Sequence, residues 1–162
     1  YCEKYADETE LMLQKNNMSE AEREEFLDRF SEESDRTLVA FGIMGGIFGE
    51  GIDLKNDRLI GAIVVGTGLP QISNERTILK DYYDAENGCG FDYAFRYPGI
   101  NKVLQAAGRV IRTTEDTGVI LLLDERFWQR EYDLLYPREW NDRKPCNIAN
   151  VGKLVADFWE QI

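Results

Sequence analysis

Apolar residues recur along the chain in two distinct periods. Thr37–Phe41, Leu59–Gly66 (LIGAIVVG) and Val119–Leu123 are short, uninterrupted apolar runs of strand length, and Leu11–Gln14 is a shorter run that predicts a fourth strand. Helical spacing alternates with them. Ser19-Glu-Ala-Glu22 places a serine three residues before a glutamate, the pattern of a capping box. It opens a helix to about Phe30, with Phe26, Leu27 and Phe30 on one face. A second helix is predicted over Glu75–Glu86, broken by Asn87-Gly-Cys-Gly90, and Pro98-Gly99 is read as the end of the loop that follows. Asn101–Thr113 reads as a helix with Val103, Leu104, Ala107, Val110 and Ile111 turned inward. Val151–Gln161 reads as another, with Val151, Leu154, Val155 and Phe158 on one face. Uninterrupted apolar strands linked by helices belong to parallel sheets covered on both faces, so the expected class is α/β. No repeat or low-complexity linker interrupts the pattern.

Three clear strands and one short one are few for an open α/β sheet, and no strand precedes the first apolar run. The expectation is therefore a piece of a larger protein. Its 162 residues, 43% hydrophobic and 30% charged, are the size of one domain able to bury a core. No apolar run approaches the length of a membrane span, and no signal peptide is recognised at the start of the chain. The chain has no histidine, which removes Ser-His-Asp and Cys-His catalysis and every histidine-ligated metal site. Cys2, Cys89 and Cys146 are far apart and odd in number. They form neither a four-ligand metal set nor a full disulfide framework, and they point to a reducing compartment. No metal site is expected within the chain.

Charge sharpens this picture. The net charge is −11, which taken alone argues against nucleic acid. Its distribution is uneven: residues 1–35 hold twelve acids and four bases, and the remainder holds eighteen acids and fifteen bases. Between Tyr93 and Thr114 stand four bases, Arg96, Lys102, Arg109 and Arg112, and no acid. Such a strip inside an acidic protein points to a local anion site.

Two patterns imitate a nucleotide-hydrolysing core. Val119-Ile-Leu-Leu-Leu-Asp124-Glu125 looks like a magnesium-binding strand, yet that strand works only with a phosphate-cradling loop ending in Gly-Lys-Ser/Thr. The sole Gly-Lys here, Gly152-Lys153, precedes a leucine inside a predicted helix, so a buried strand with a polar end is the plainer reading. The glycines of GGIFGEG (Gly45–Gly51) lack the dinucleotide-binding spacing, and on glycine content alone they read as a tight turn. A third pattern is more specific. In Gln105-Ala-Ala-Gly108-Arg109-Val-Ile-Arg112, spacings of four and three put Gln105, Arg109 and Arg112 on one face of a helix, and Gly108 permits close approach. Planar guanidinium forks suit phosphate oxygens; the bland alternative is a solvated basic face.

Gly45–Leu54 (GGIFGEGIDL) followed by Tyr97–Phe127 (YPGINKVLQAAGRVIRTTEDTGVILLLDERF) resembles motifs V and VI of the DinG/XPD family of superfamily 2 DNA helicases. Their order, with strand Leu59–Gly66 and Leu69-Pro70 between them, also fits, and the likeness extends from about Leu11 to Phe127. The resemblance implies a RecA-like domain, a mostly parallel sheet flanked by helices in three αβα layers. Residues 1–162 would then be the second motor domain of a helicase whose first strand and first motor domain lie elsewhere.

Several roles follow from the resemblance. Arg109 and Arg112 would reach the γ-phosphate of ATP, one of them as an arginine finger, and Gln105 would sense that phosphate or orient the attacking water. Glu50, Gly51, Asp53 and Gly108 would serve the nucleotide side and its coupling to motif VI. The backbone at Gly45 and Gly46, with Lys102 and Arg96, would meet single-stranded DNA. Tyr82, Tyr83, Tyr93 and Tyr97 would either stack bases or, as the plainer alternative, pack locally. ATP and Mg2+ would be shared with the first RecA-like domain of the same polypeptide, and any iron–sulfur cluster would lie in that other domain. The expected activity is ATP-dependent, 5′→3′ DNA unwinding by the whole protein, in the bacterial cytoplasm or a eukaryotic nucleus, with the isolated chain inactive and no membrane partner. The rival is a degenerate RecA-like module kept for protein interaction or regulation.

Overall fold

The computed structural model describes residues 2–5, 7–31, 34–46 and 59–162. Glu50, Gly51 and Asp53 lie outside the described residues. The chain divides into two compact units, Tyr1–Asp124 and Glu125–Ile162.

Among the described residues the first unit holds four strands in two parallel pairs. A short helix α1 (Cys2–Tyr5) precedes β1 (Thr9–Leu13), which pairs with β2 (Thr37–Phe41), Leu11 opposite Val39. β3 (Gly61–Val65) pairs with β4 (Val119–Leu123), Ile63 opposite Leu121. Parallel neighbours require a crossover, and each pair has a helical one. α2 (Glu20–Asp28) joins β1 to β2; α3 (Asn74–Asn87) and α4 (Tyr97–Ala107) join β3 to β4. The α/β class expected from the apolar pattern is thus the one observed, with its strands in two small sheets.

Local chemistry explains most boundaries. Ser19 and Glu22 form the reciprocal capping box at the start of α2, each satisfying an N–H the helix leaves open. After Asp28 the chain tightens into a 3-10 turn (Arg29–Ser31), whose Arg29 pairs with Glu10 and ties it to β1. Ser73 caps α3, and Gly88 ends it at φ +72°, the left-handed conformation that glycine adopts without penalty.

The Pro98-Gly99 reading needs correction. These residues lie in the first turn of α4, not at the end of a loop. Proline is tolerated there because a first-turn residue needs no N–H donor. The preceding turn, Asp92–Arg96, is a π-helix in which Tyr97 N–H donates to the Asp92 carbonyl. A normal turn would drive the Pro98 ring into the Ala94 carbonyl four residues back. The wider turn relieves that clash, and Arg76 donates to the Ala94 carbonyl at 3.0 Å.

The core of this unit lies where α4 packs on β3. Val64, Ala94, Phe95, Ile100, Val103, Ala107 and Val110 are buried, Val103 completely. The opposite face of β3 is open, with Ile63 64% and Val65 72% exposed, so the two-sided burial expected of these strands is seen on one side only. Ile111, expected inward, is exposed. The helix ends at Ala107, and helical spacing no longer governs positions beyond it.

The second unit contains a 3-10 turn (Glu125–Trp128), α5 (Arg130–Asp133) and α6 (Val151–Trp159). Tyr136 donates to the Phe127 carbonyl at 2.9 Å, and burial pushes its hydroxyl up to about 12. The Arg143 guanidinium lies 4.4 Å from the centre of the Tyr136 ring, donates to the Trp140 carbonyl at 2.7 Å, and pairs with Asp133.

Ile100, on α4, is buried at 3% exposure. Ile100→Ala should lower unfolding free energy by about 2–5 kcal/mol, the usual cost of emptying such a site. Chemical denaturation of the chain measures this, and a loss below about 1 kcal/mol would contradict the burial described.

Candidate functional site

Parallel strands gather their loops at one end, and most of the residues singled out by sequence follow β2 or lie on and after α4. Gln14, the residue after β1, fastens the exit of β2. Its N–H donates to the Phe41 carbonyl at 2.8 Å, and its side-chain Oε1 accepts the Ile43 N–H at 2.8 Å. Gly46 N–H closes the turn on the Ile43 carbonyl at 2.9 Å. A Cβ on Gly46 would fall 2.8 Å from Gln14 Nε2, so the amide fills the space a side chain would need.

The loop after β3 and the start of α4 are equally close. A Cβ on Gly99 would lie 2.6 Å from the Thr67 carbonyl oxygen. One on Gly68 (φ +68°) would lie 2.7 Å from the Gly99 carbonyl oxygen and 3.0 Å from Met44 Sδ. Thr67, 1% exposed, sits in the middle of this contact. Main chain therefore packs on main chain here, and Met44 brings the loop after β2 into the same cluster.

Lys102 and Gly45 come together as a consequence. The Lys102 stem lies along Gly45, with Cδ and Cε each 3.4 Å from where a Cβ would stand, and Gly45 has φ +81°. Gln105 lies one turn nearer the helix C-terminus and is exposed. The turn after β2 and helix α4 are thus neighbours.

The arginines are arranged differently from the expectation. Gln105, Arg109 and Arg112 do not share one helix face, because α4 stops at Ala107. Arg109 N–H bonds the Ala106 carbonyl at 3.2 Å and Val110 N–H the Ala107 carbonyl at 3.0 Å. These three-residue spacings mark the tighter turn that often closes a helix, and Gly108, a poor helix former, stands at its start. A Cβ on Gly108 would meet, among the described residues, only its own helix's carbonyls, the nearest Leu104 O at 3.2 Å. Arg109 lies in the turn and Arg112 in the segment after it, both half-buried.

Asp116 organises that segment, and sequence reasoning missed it. One carboxylate oxygen accepts the main-chain N–H of Arg112 at 2.9 Å and of Thr113 at 2.7 Å. Those two backbone donors hold the Asp116 carboxyl below its ordinary range. The Thr-Thr-Glu-Asp run after Arg112 carries a usable signal, since aspartate commonly accepts nearby backbone N–H groups in turns.

Arg96 is engaged within its own helix, paired with Asp92 and lying 5.5 Å from the centre of the Phe91 ring. The tyrosines pack on one another. Tyr83 and Tyr93 stack with centroids 3.9 Å apart, while Tyr82 meets Tyr83 and Tyr97 meets Tyr93 edge to face. Among the described residues, no group of three or more Asp, Glu, Cys or His side chains is placed to hold a metal ion, and no helix is long and apolar enough to cross a membrane.

Two measurements check this geometry. Gln14→Ala should speed amide exchange at Ile43 and Gly46 by roughly tenfold, the worth of one hydrogen bond; unchanged exchange would show that the loop holds without it. A folded-state pKa below the unfolded one means that the Asp116 contribution is complete above the ordinary aspartate range. It is lost as pH falls through the depressed value. The Arg112 and Thr113 amide signals should accordingly titrate with an inflection below 3.8, the ordinary aspartate value. An inflection at or above it would contradict the assignment.

Comparison with known proteins places these features in a family. Residues 2–143 match the helicase C-terminal domain family. The ATP-dependent DNA helicase XPD of Sulfolobus acidocaldarius is 32% identical over 145 residues, covering 83% of this chain and 24% of that protein. The ATP-dependent DNA helicase DinG of Photobacterium profundum is 30% identical over 138 residues, covering 80% of this chain and 20% of that protein. A regulator of telomere elongation helicase 1 homolog from Caenorhabditis briggsae is 27% identical over 141 residues, covering 81% and 14%. The chain thus spans a quarter or less of each of these relatives. With most of its length matched and both motif segments inside the match, the chain belongs to the helicase C-terminal domain family, of the DinG/XPD type.

Proposed function

We propose that this chain is the second RecA-like motor domain of an ATP-dependent DNA helicase, working with a first motor domain on the same polypeptide. The observation that carries this reading is the family match over residues 2–143, with the motif VI helix seated against the motif V glycines through Lys102 and Gly45. The match crosses the boundary between the two compact units, which supports treating residues 1–162 as one motor half.

ATP would lie between the two motor domains, faced on this side by Gln105, Arg109 and Arg112, with Glu50, Gly51, Asp53 and Gly108 on its nucleotide and coupling side. Hydrolysis forms a bond from water oxygen to the γ-phosphorus and breaks the bridging bond to the β-phosphate, leaving ADP and inorganic phosphate. Negative charge grows on the departing β-phosphate oxygen. Two always-charged guanidinium groups suit that task. Gln105 would orient the water or report the γ-phosphate. Mg2+ would neutralise phosphate charge from the first domain's side.

Single-stranded DNA would run past the loop after β2, its phosphates met by backbone at Gly45 and Gly46 and by Lys102. Arg96, paired with Asp92, is the weaker candidate. Translocation 5′→3′, residence with the nucleoid or in a nucleus, and an iron–sulfur cluster in the first domain belong to the same proposal by family likeness alone.

DNA-stimulated ATPase and single-strand affinity of the full-length protein, compared at fixed salt, test it. Arg112→Ala should lower turnover by about 10³-fold or more, the usual worth of an arginine finger, and leave DNA affinity nearly intact. Lys102→Ala should weaken DNA binding a few-fold and change basal ATPase little. Wild-type turnover by Arg112→Ala would remove the finger, and an ATPase-silent parent would favour the degenerate interaction module.

A further inference from the structure

We propose that Asp116 is a positioning residue for Arg112, fixing the main chain from which the arginine side chain projects toward the nucleotide. This rests on the function proposed above for Arg112.

The need for such a residue follows from where α4 ends. A side chain on a helix inherits its direction from the helix, but Arg112 lies five residues beyond Ala107, past the closing turn. Its direction depends on the segment between Val110 and β4. Both ends of that segment are anchored. Val110 is buried, and a Cβ on Gly118 would fall 2.3 Å from Val110 Cγ1 and 2.9 Å from the Ile60 carbonyl oxygen, so the returning chain passes directly against the outgoing one. Val119 N–H then enters the sheet by bonding the Ile60 carbonyl at 3.0 Å.

Between those anchors Asp116 supplies the fastening. Its Oδ2 receives two consecutive main-chain donors, Arg112 N–H at 2.9 Å and Thr113 N–H at 2.7 Å, while Thr113 Oγ1 accepts the Glu115 N–H at 3.3 Å. Holding successive amides on one oxygen restricts the torsions on either side of Arg112 and hence its Cα–Cβ direction. Catalytic groups misplaced by about 1 Å lose about 10²-fold in rate. The residue type fits the task. Asparagine keeps an oxygen at the same reach, glutamate would carry it one methylene further, and alanine removes it.

The test uses the full-length helicase with saturating single-stranded DNA and compares wild type, Asp116→Ala, Asp116→Asn, Arg112→Ala and the Asp116→Ala/Arg112→Ala double variant. For each, kcat and KM for ATP, DNA affinity at fixed salt and melting temperature are measured. Asp116→Ala should lower kcat by about 10- to 100-fold, with KM and DNA affinity within about threefold of wild type. Asp116→Asn should recover kcat to within about fivefold, because the acceptor oxygen returns. The double variant should be no slower than Arg112→Ala alone, since a misdirected side chain that is already absent costs nothing further.

If Arg112→Ala itself turns over normally, the finger reading fails, and with it the basis of this proposal. If Arg112→Ala is crippled while Asp116→Ala matches wild type, the positioning role alone is overturned. The same holds if the two losses multiply in the double variant. It also holds if Asp116→Asn is as slow as alanine with a melting temperature and DNA affinity lowered in step, which would make Asp116 purely structural.

Discussion

The seat of α4 on the exit of β3 is the contact on which the site depends. It is made without side chains at its closest point, where the Thr67 carbonyl and the Gly99 backbone approach too closely for a Cβ to intervene. From that point outward each placement follows. Ile100, Val103 and Ala107 turn into the core, one after another along the buried stripe. Lys102, on the same helix, comes to rest along Gly45, and Met44 reaches Gly68 from the other side. A larger residue at Gly99 would act on all of these, because the helix would have to lift as a rigid body rather than adjust one rotamer.

That rigidity stops at Ala107, and the change matters for the chemistry proposed. Gln105 is carried by the helix, Arg109 by a tight turn and Arg112 by an anchored segment beyond it. Three groups proposed to meet one phosphate chain need not share a helix face. A helix face would offer them parallel directions about one turn apart. A helix end that bends away lets successive side chains approach a compact ligand from different sides, provided the bend is held.

Those parts of the fold decided by short-range rules were legible in the sequence. Val119–Leu123 and Thr37–Phe41 are strands at the predicted residues, and the Ser19–Glu22 box caps its helix as read. The errors have tertiary causes. Val110 looked like the next inward position of a continuing helix and is indeed buried, but after a tightened turn, so apolar spacing alone could not reveal the stop. Pro98-Gly99 looked like a break because both residues disrupt helices on average. Here the proline occupies the first turn, and the glycine is required by a carbonyl distant in sequence. The Arg109 and Arg112 motif was recognisable from residue order, Asp116 only through the turn signal of the Thr-Thr-Glu-Asp run, and Gln14 not at all. Their importance lies in which backbone donors they accept, and no pattern of residue types records that for Gln14.

The acidic composition can be reconciled with anionic ligands through the partners of particular carboxylates. On α2, Glu20, Glu22, Glu24, Glu25 and Asp28 are exposed and account for much of the excess in the first third of the chain. Around the basic strip three acids are already answered. Asp92 pairs with Arg96, Asp84 accepts from Lys80 and the Gly90 N–H, and Asp116 accepts two main-chain donors. A carboxylate so engaged presents less negative potential to a distant phosphate than its formal charge implies, because aligned donors lie against it. The same engagement gives Arg96 a structural role, and the proposed ligand contacts fall to the motif VI residues. Net charge in this chain therefore describes its long-range field, while the local field is set by which acids are already engaged by neighbouring donors.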